Sequence, residues 1–267
     1  MKLTRRHIPL VAYLVFMLIP LYWMLNCSFK FTTEIMTSMT WFPENFTTRN
    51  FEHIFGNEVW RNSFVNTLTY VCLNVILCVT AAVPAAYAFS RWRFRGDKHL
   101  FFWLLTNRMG PVAIFMIPMF QLYSNLGLFD TNLAVALCHC VFNLPLAIWI
   151  LEGFITGIPK ELDETAFIDG MSFPRFFVKV FFPLIRPGIG VTAFFCFMFS
   201  YAELLLARTL TSANSKPIVV ALTRSQGAEG WDWGVLMAAG VLVMLPGLVA
   251  VYFIRNYIAK GFAMGRV

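Results

Sequence analysis

Residues 159–187 read PKELDETAFIDGMSFPRFFVKVFFPLIRP. Pro159 suits the opening of a helix, and Lys160, Glu161, Leu162, Asp163 and Glu164 begin one with acid in its first turn, where negative charge complements the helix dipole. Leu162, Ala166 and Phe167 recur at helical spacing and make one apolar face, while Asp163, Glu164 and Asp169 leave the remainder mostly acidic. Gly170 stops the helix, because it enters a left-handed turn without a side-chain clash. Pro174 precedes a second stretch, Arg175 to Phe182, which runs into Pro183. The first stretch is too short to fold alone. Helices that lie on lipid head groups are rich in Lys and Arg. This one is acidic, so its apolar face calls for a groove on another protein.

What flanks this stub decides the fold. A bilayer core needs about 20 mainly apolar residues per helix. Six stretches meet that requirement, at about 8–27, 64–89, 100–123, 133–154, 183–206 and 235–257. The stub lies in the 157–182 loop between the fourth and fifth. The expected fold is an all-α integral membrane protein, a single transmembrane domain over 1–267 with six transmembrane helices and one short helix in a loop. The N-terminal basic residues and the apolar run from Ile8 resemble a signal peptide. Pro20, Tyr22 and Trp23 occupy the place where small residues would mark cleavage, so an uncleaved first span is expected. The long polar loop from Ser28 to Asn62 carries Trp41, Phe42, Phe46, Phe51 and Trp60, suited to the membrane interface or to packing over helix ends.

Composition agrees. Hydrophobic residues are 58% and charged residues 13%, against about 45–50% and about 25% in soluble domains. Mean hydropathy is +0.66. The net charge of +7 comes from short basic clusters beside apolar runs, such as Arg91, Arg93, Arg95 and Lys98. That pattern anchors a membrane protein and does not build a groove for nucleic acid. All six cysteines lie in or beside apolar stretches, so no disulfide framework is expected. The Cys138-His139-Cys140 triplet has no second ligand pair near it and reads as packed intramembrane sequence, so no metal site is expected.

Lys and Arg also set orientation. One side carries Lys2, Arg5, Arg6, the Arg91–Lys98 cluster, Lys160, Arg175, Lys179, Arg186, Lys260 and Arg266. The other carries Lys30, Arg49, Arg61, Arg208, Lys216 and Arg224. The richer side is expected to be cytoplasmic, with both termini and the 157–182 loop on it.

At these residues the chain resembles a known family, the membrane subunits of binding-protein-dependent ABC importers. Their loop reads Glu-Ala-Ala, three residues, Gly, nine residues, then Ile-x-Leu-Pro. Here Glu164, Thr165, Ala166, Gly170, Val180, Phe182 and Pro183 stand at the matching spacing, with departures at Thr165, Val180 and Phe182. Asn143-Leu144-Pro145, Gly153-Phe154, Ile158 to Glu161, Ile117-Pro118, Leu126 to Thr131 and the terminal Tyr257 to Gly265 are similar to the carbohydrate branch, nearest the second permease of maltose-type importers. The resemblance implies a permease in a bacterial inner membrane that moves a sugar or polyol, of the maltose, glycerol or glycerol phosphate class. It implies a coupling helix made by Glu161, Leu162, Glu164, Thr165, Ala166, Phe167, Asp169 and Gly170, with Glu164 anchoring it and Gly170 setting the turn. The implied partners are a second permease subunit, two copies of an ATP-binding subunit that holds ATP and Mg, and a periplasmic substrate-binding protein. The chain has no P-loop and no H-E-x-x-H helix, so it is expected to be non-catalytic and to hold no cofactor.

Ionisable groups inside a bilayer are functional candidates. Arg108, Asn143, Tyr201 and Glu203 make a candidate substrate path. The other reading is that Arg108 and Glu203 stabilise helix packing or reach toward the interface. Gly188 and Gly190 are expected to allow close helix approach. The alternative function is an ion-gradient-driven carrier or channel. Such carriers often show inverted repeats, and this sequence has no internal repeat.

Overall fold

The computed structural model describes residues 8–223, 226–227 and 230–264. Lys2, Arg5, Arg6, Arg224 and Arg266 lie outside the described residues, and so do the side chains of Tyr257 to Gly265, Lys260 among them. In chain order the helices are α1 (Ile8–Ser28), α2 (Thr32–Thr37), α3 (Arg49–Gly56), α4 (Glu58–Arg91), α5 (Asp97–Arg108), α6 (Val112–Asn125) and α7 (Asn132–Thr156). Then come α8 (Glu161–Ile168), α9 (Phe173–Phe176), a π-helical turn (Phe177–Phe181), α10 (Phe182–Ala202), α11 (Leu205–Leu210), α12 (Ile218–Leu222) and α13 (Trp233–Met264). The strand pairing among the described residues is one short antiparallel hairpin, Gln226–Gly227 with Gly230–Trp231.

Among the described residues five helical stretches are long and apolar enough to cross a bilayer: Ile8–Ser28, Glu58–Arg91, Asn132–Thr156, Phe173–Ala202 and Trp233–Arg255. The stretch expected to be one span at 100–123 is instead two helices, α5 and α6, bent by 95°. The cause is local. Pro111 supplies no N–H to continue α5 and biases Gly110 away from helical backbone. Counted as one broken span, the pair brings the number to six. The α1 window buries no residue within the chain, as suits a helix whose solvent is lipid or another subunit.

The chain divides into two compact units, Met1–Phe64 with Ile218–Gly247, and Val65–Pro217 with Leu248–Val267. The first is knotted together by polar side chains in the long loop. Lys30 is buried and donates to the Thr40 carbonyl at 2.6 Å and the Thr40 hydroxyl at 2.8 Å. Asn50 donates to the carbonyls of Ser28 and Lys30, both at 2.9 Å. The loop aromatics pair with one another: Phe29 lies against Phe46 and Phe51, and Trp41 against Trp23. Trp60 joins an apolar core with Ile54, Ile218 and Val235.

The second unit packs α10 and α5 on α7, and α11 on α6 and α7. Its core joins Cys78, Ala82 and Ala86 of α4 to Ala147, Leu151 and Ile155 of α7, and to Phe181 and Ile185 of the π turn and α10. Small residues let membrane helices approach, the usual way they gain contact without a hydrophobic driving force. Gly188 shows the same economy, since a Cβ there would sit 2.7 Å from Cγ of Phe154.

Candidate functional site

The loop between α7 and α10 is built as a presented helix. Residues Glu161, Asp163 and Glu164 occupy the first turn of α8. At its other end Gly170 takes φ +78°. Its N–H donates to the Phe167 carbonyl, and that of Met171 to the Ala166 carbonyl, both at 3.0 Å. These two bonds form the Schellman closure that a left-handed glycine permits. Met171 and Ala166 both pack into the core below.

The faces of α8 differ from the sequence expectation. Ala166 turns inward, but Leu162 and Phe167 stay exposed, and so does Ile168 at 84%. Asp163, assigned to the acidic remainder of the helix, is buried at 7%. The reason is a waiting cation. Arg91, the last residue of α4, donates from Nε to Oδ2 of Asp163 at 2.8 Å, and Tyr87 donates its hydroxyl to the same oxygen at 3.0 Å. Buried charge is tolerated where it is paired and hydrogen-bonded. The outer face of α8 is therefore Leu162, Phe167 and Ile168 set among Glu161, Glu164, Thr165 and Asp169. The capped helix thus exposes apolar side chains rimmed by acid. Sequence reasoning passed over Asp163. The available signal was its i, i+3 spacing to Ala166, which puts both on one side of the helix.

A second polar constellation lies among α5, α7 and α10. A cavity of about 190 Å³ is lined by Arg108, His139, Asn143, Phe199 and Glu203, with apolar neighbours. Three of the four path candidates thus meet in one place. Tyr201 is not among the lining residues; it is buried and stacks on Phe197 at 5.4 Å. The side chains also serve the fold. Pro145 within α7 offers no N–H to the carbonyl of Val141, and Asn107 donates to that carbonyl at 3.4 Å. Arg108 donates to the next carbonyl, Phe142, at 2.7 Å, and lies 4.2 Å from the centre of the Phe199 ring. Asn143 accepts from Arg108 at 3.4 Å and donates to Asn74 of α4 at 2.9 Å. Glu203 accepts the N–H groups of Leu205, Leu206 and Ala207 and faces His139 Nε2 at 3.2 Å. His139, dispersed among apolar residues in the sequence, was missed as a member of this wall. It also touches the Ser200 hydroxyl at 2.8 Å.

Among the described residues no group of three or more His, Cys, Asp or Glu side chains is arranged to hold a metal. All six cysteines are free, and Cys140 lies 3.5 Å from Cys78 rather than next to a second ligand pair.

Residues 80–264 match the family described as "Binding-protein-dependent transport system inner membrane component". The chain is 27% identical to the diacetylchitobiose uptake system permease protein DasC of Streptomyces coelicolor, over 98% of this chain and 95% of that protein. It is 31% identical to the osmoprotective compounds uptake permease protein GgtD of Synechocystis, over 82% of this chain and 74% of that one. Its fold is like a chain of a bacterial ABC transporter involved in the import of the acidic polysaccharide alginate. That match has a TM-score of 0.79 and 20% identity, covering 96% of this chain and 99% of the other.

Proposed function

This chain belongs to the family of binding-protein-dependent transport system inner membrane components, and from that premise we propose that it carries a sugar or polyol through the membrane, with α8 as its coupling helix. A separate ATP-binding subunit, present twice and holding ATP and Mg, receives α8. A second permease subunit completes the membrane path, and a periplasmic binding protein delivers substrate. Both termini and α8 face the cytoplasm, in keeping with the distribution of Lys and Arg. The chain makes no covalent chemistry. An ion-gradient-driven carrier or channel is not favoured by this family membership.

The observation that carries the reading is the construction of α8. It is capped by a left-handed glycine, pinned on its inner side through Asp163, and left apolar on its outer side at Leu162, Phe167 and Ile168. Among the described residues Leu162 and Ile168 stay exposed and Phe167 is covered only in part, by Phe176, and a partner is the use that fits such a face. ATP-driven closure of the two ATPases would move α8 and switch the helices between inward-facing and outward-facing states, each ligand biasing one state.

The sugar or polyol class is supported by the diacetylchitobiose relative and by the cavity. Phe199 offers an apolar ring face, and Arg108, Asn143 and Glu203 offer polar groups around it. Such a mix of one aromatic and a few polar groups suits a polyhydroxylated ligand. Tyr201 stands outside the lining of this cavity.

The test is uptake of labelled sugars and polyols in vesicles holding the assembled transporter. Glu164→Lys and Gly170→Val should abolish uptake and the ATPase stimulation caused by the binding protein, with the chain still inserted. Survival of both activities in both variants refutes the coupling role.

A further inference from the structure

Resting on the reading of α8 as the coupling helix, we infer that Arg91 and Asp163, with Tyr87, are positioning residues that fasten this helix to α4 and α7 so that its movement reaches α4, α7 and the root of α10 together. The geometry is that of a hub. One guanidinium engages two elements besides its own. Arg91 Nε donates to Asp163 Oδ2 at 2.8 Å, and its Nη2 to Oδ1 at 3.4 Å. Its Nη1 donates to the carbonyls of Ile155 and Ile158, at 3.3 and 3.1 Å, at the end of α7. Cations are favoured at a helix C-terminus and anions at an N-terminus. Arg91 sits where α4 and α7 both end, and Asp163 where α8 begins.

Tyr87 stands one turn before Arg91 on the same face of α4. Its hydroxyl donates to Asp163 at 3.0 Å. Its ring meets Phe181 at 4.7 Å and Phe177 and Phe173 at 5.8 Å, on the segment that leads into α10. The coupling helix is thus tied to α4 and α7 through charge and to the root of α10 through an aromatic cluster.

Of its own apolar side chains, Ala166 packs into the core and Phe167 lies 5.1 Å from the Phe176 ring, while Leu162 and Ile168 face outward, so the polar hub adds the directed link to α4 and α7. Stability alone does not call for such a pair. Apolar residues of similar volume often replace a buried ion pair at no loss, whereas removing one partner is costly. The pair Arg93–Asp97 nearby provides a contrast. It lies at 3.5 Å with the Arg93 side chain 79% exposed, against 5% for Arg91 and 9% for Asp163 in the hub. Lys would not replace Arg91 in kind, since its three donors radiate from one compact nitrogen, whereas the guanidinium spreads its N–H groups in a planar fork across a carboxylate and two carbonyls.

The experiment uses the assembled transporter in proteoliposomes, with sugar uptake and ATP hydrolysis measured together. The double variant Arg91→Met with Asp163→Leu removes the charges without leaving either one alone. It should assemble and hydrolyse ATP, but uptake per ATP should fall on the order of tenfold. Arg91→Lys, which keeps the charge, should fall in the same direction, and covers the case in which the double variant does not assemble. Arg93→Ala should match the wild type. Wild-type uptake per ATP in either hub variant overturns the inference. A photo-crosslinking residue at Ile168, in an otherwise wild-type chain, separates the two levels. Capture of the ATPase with uncoupled hub variants supports both levels. No capture refutes the coupling role itself.

Discussion

Asp130 does the most with one side chain. It stands at φ +59°, and its carboxylate accepts the N–H groups of Ser212, Ala213, Asn214 and Ser215, at 2.8 to 3.1 Å, together with the Ser215 hydroxyl at 2.8 Å. Partial burial pushes its pKa up, but the bonds from Asn214, Ser212 and Ser215 outweigh that and hold it at about 2, below its ordinary 3.8. A lowered folded pKa stabilises above the unfolded value and is lost as pH falls through the folded one. Asp130→Asn should therefore cost about 1–2 kcal/mol near neutrality, the low end for bonds to a partly solvated charge. The melting-temperature difference from wild type should be constant above about pH 5 and shrink toward pH 2. Gly170 is the second special residue. A Cβ there meets no atom within 4 Å, so only the backbone conformation resists substitution. Gly170→Asn should retain more uptake than Gly170→Val, because Asn visits the left-handed region and a β-branched residue does not. The sequence made Gly170 legible, since a glycine closing an acidic helix has few other uses. It left Asp130 as a lone loop charge, because its partners lie about eighty residues away.

At the level of the element, prolines and glycines set where helices break and touch. Five of the long apolar stretches read directly as helices, because apolar length is the requirement of the solvent itself. The break between α5 and α6 did not, since hydropathy runs through Gly110-Pro111 without interruption. Its consequence is chemical. It brings Asn107 and Arg108 to the carbonyls of α7 near Pro145. Arg108 both fastens α5 to α7 and lines the cavity proposed as the substrate path. The close approach of α7 and α10 is testable. Gly188→Ala should lower the stability of the purified protein by about 1–3 kcal/mol, the cost of overpacking, because the new methyl meets the near end of the Phe154 side chain. Gly240→Ala should cost less, since the atom it would meet is Met24 Sδ at 2.9 Å, on a flexible chain. Thermal unfolding in detergent compares the two.

At the level of the molecule, the sequence revealed the function through one loop and the surroundings through hydropathy. It concealed which face of the loop helix points outward. Periodicity assigns residues to faces, but only the Arg91 partner decides that Asp163 goes in and Leu162 stays out. For transport, Asn143→Ala should raise the KM of uptake more than Tyr201→Phe, because Asn143 lines the cavity and Tyr201 does not. Equal effects would remove the cavity from the path. The most direct measurement is photo-crosslinking from Ile168 in the intact transporter, read in membranes with and without ATP. The expected result is a single adduct with the ATP-binding subunit, whose yield changes when ATP is added. An adduct with the periplasmic binding protein, or none with the ATPase in either condition, would contradict the coupling role of α8.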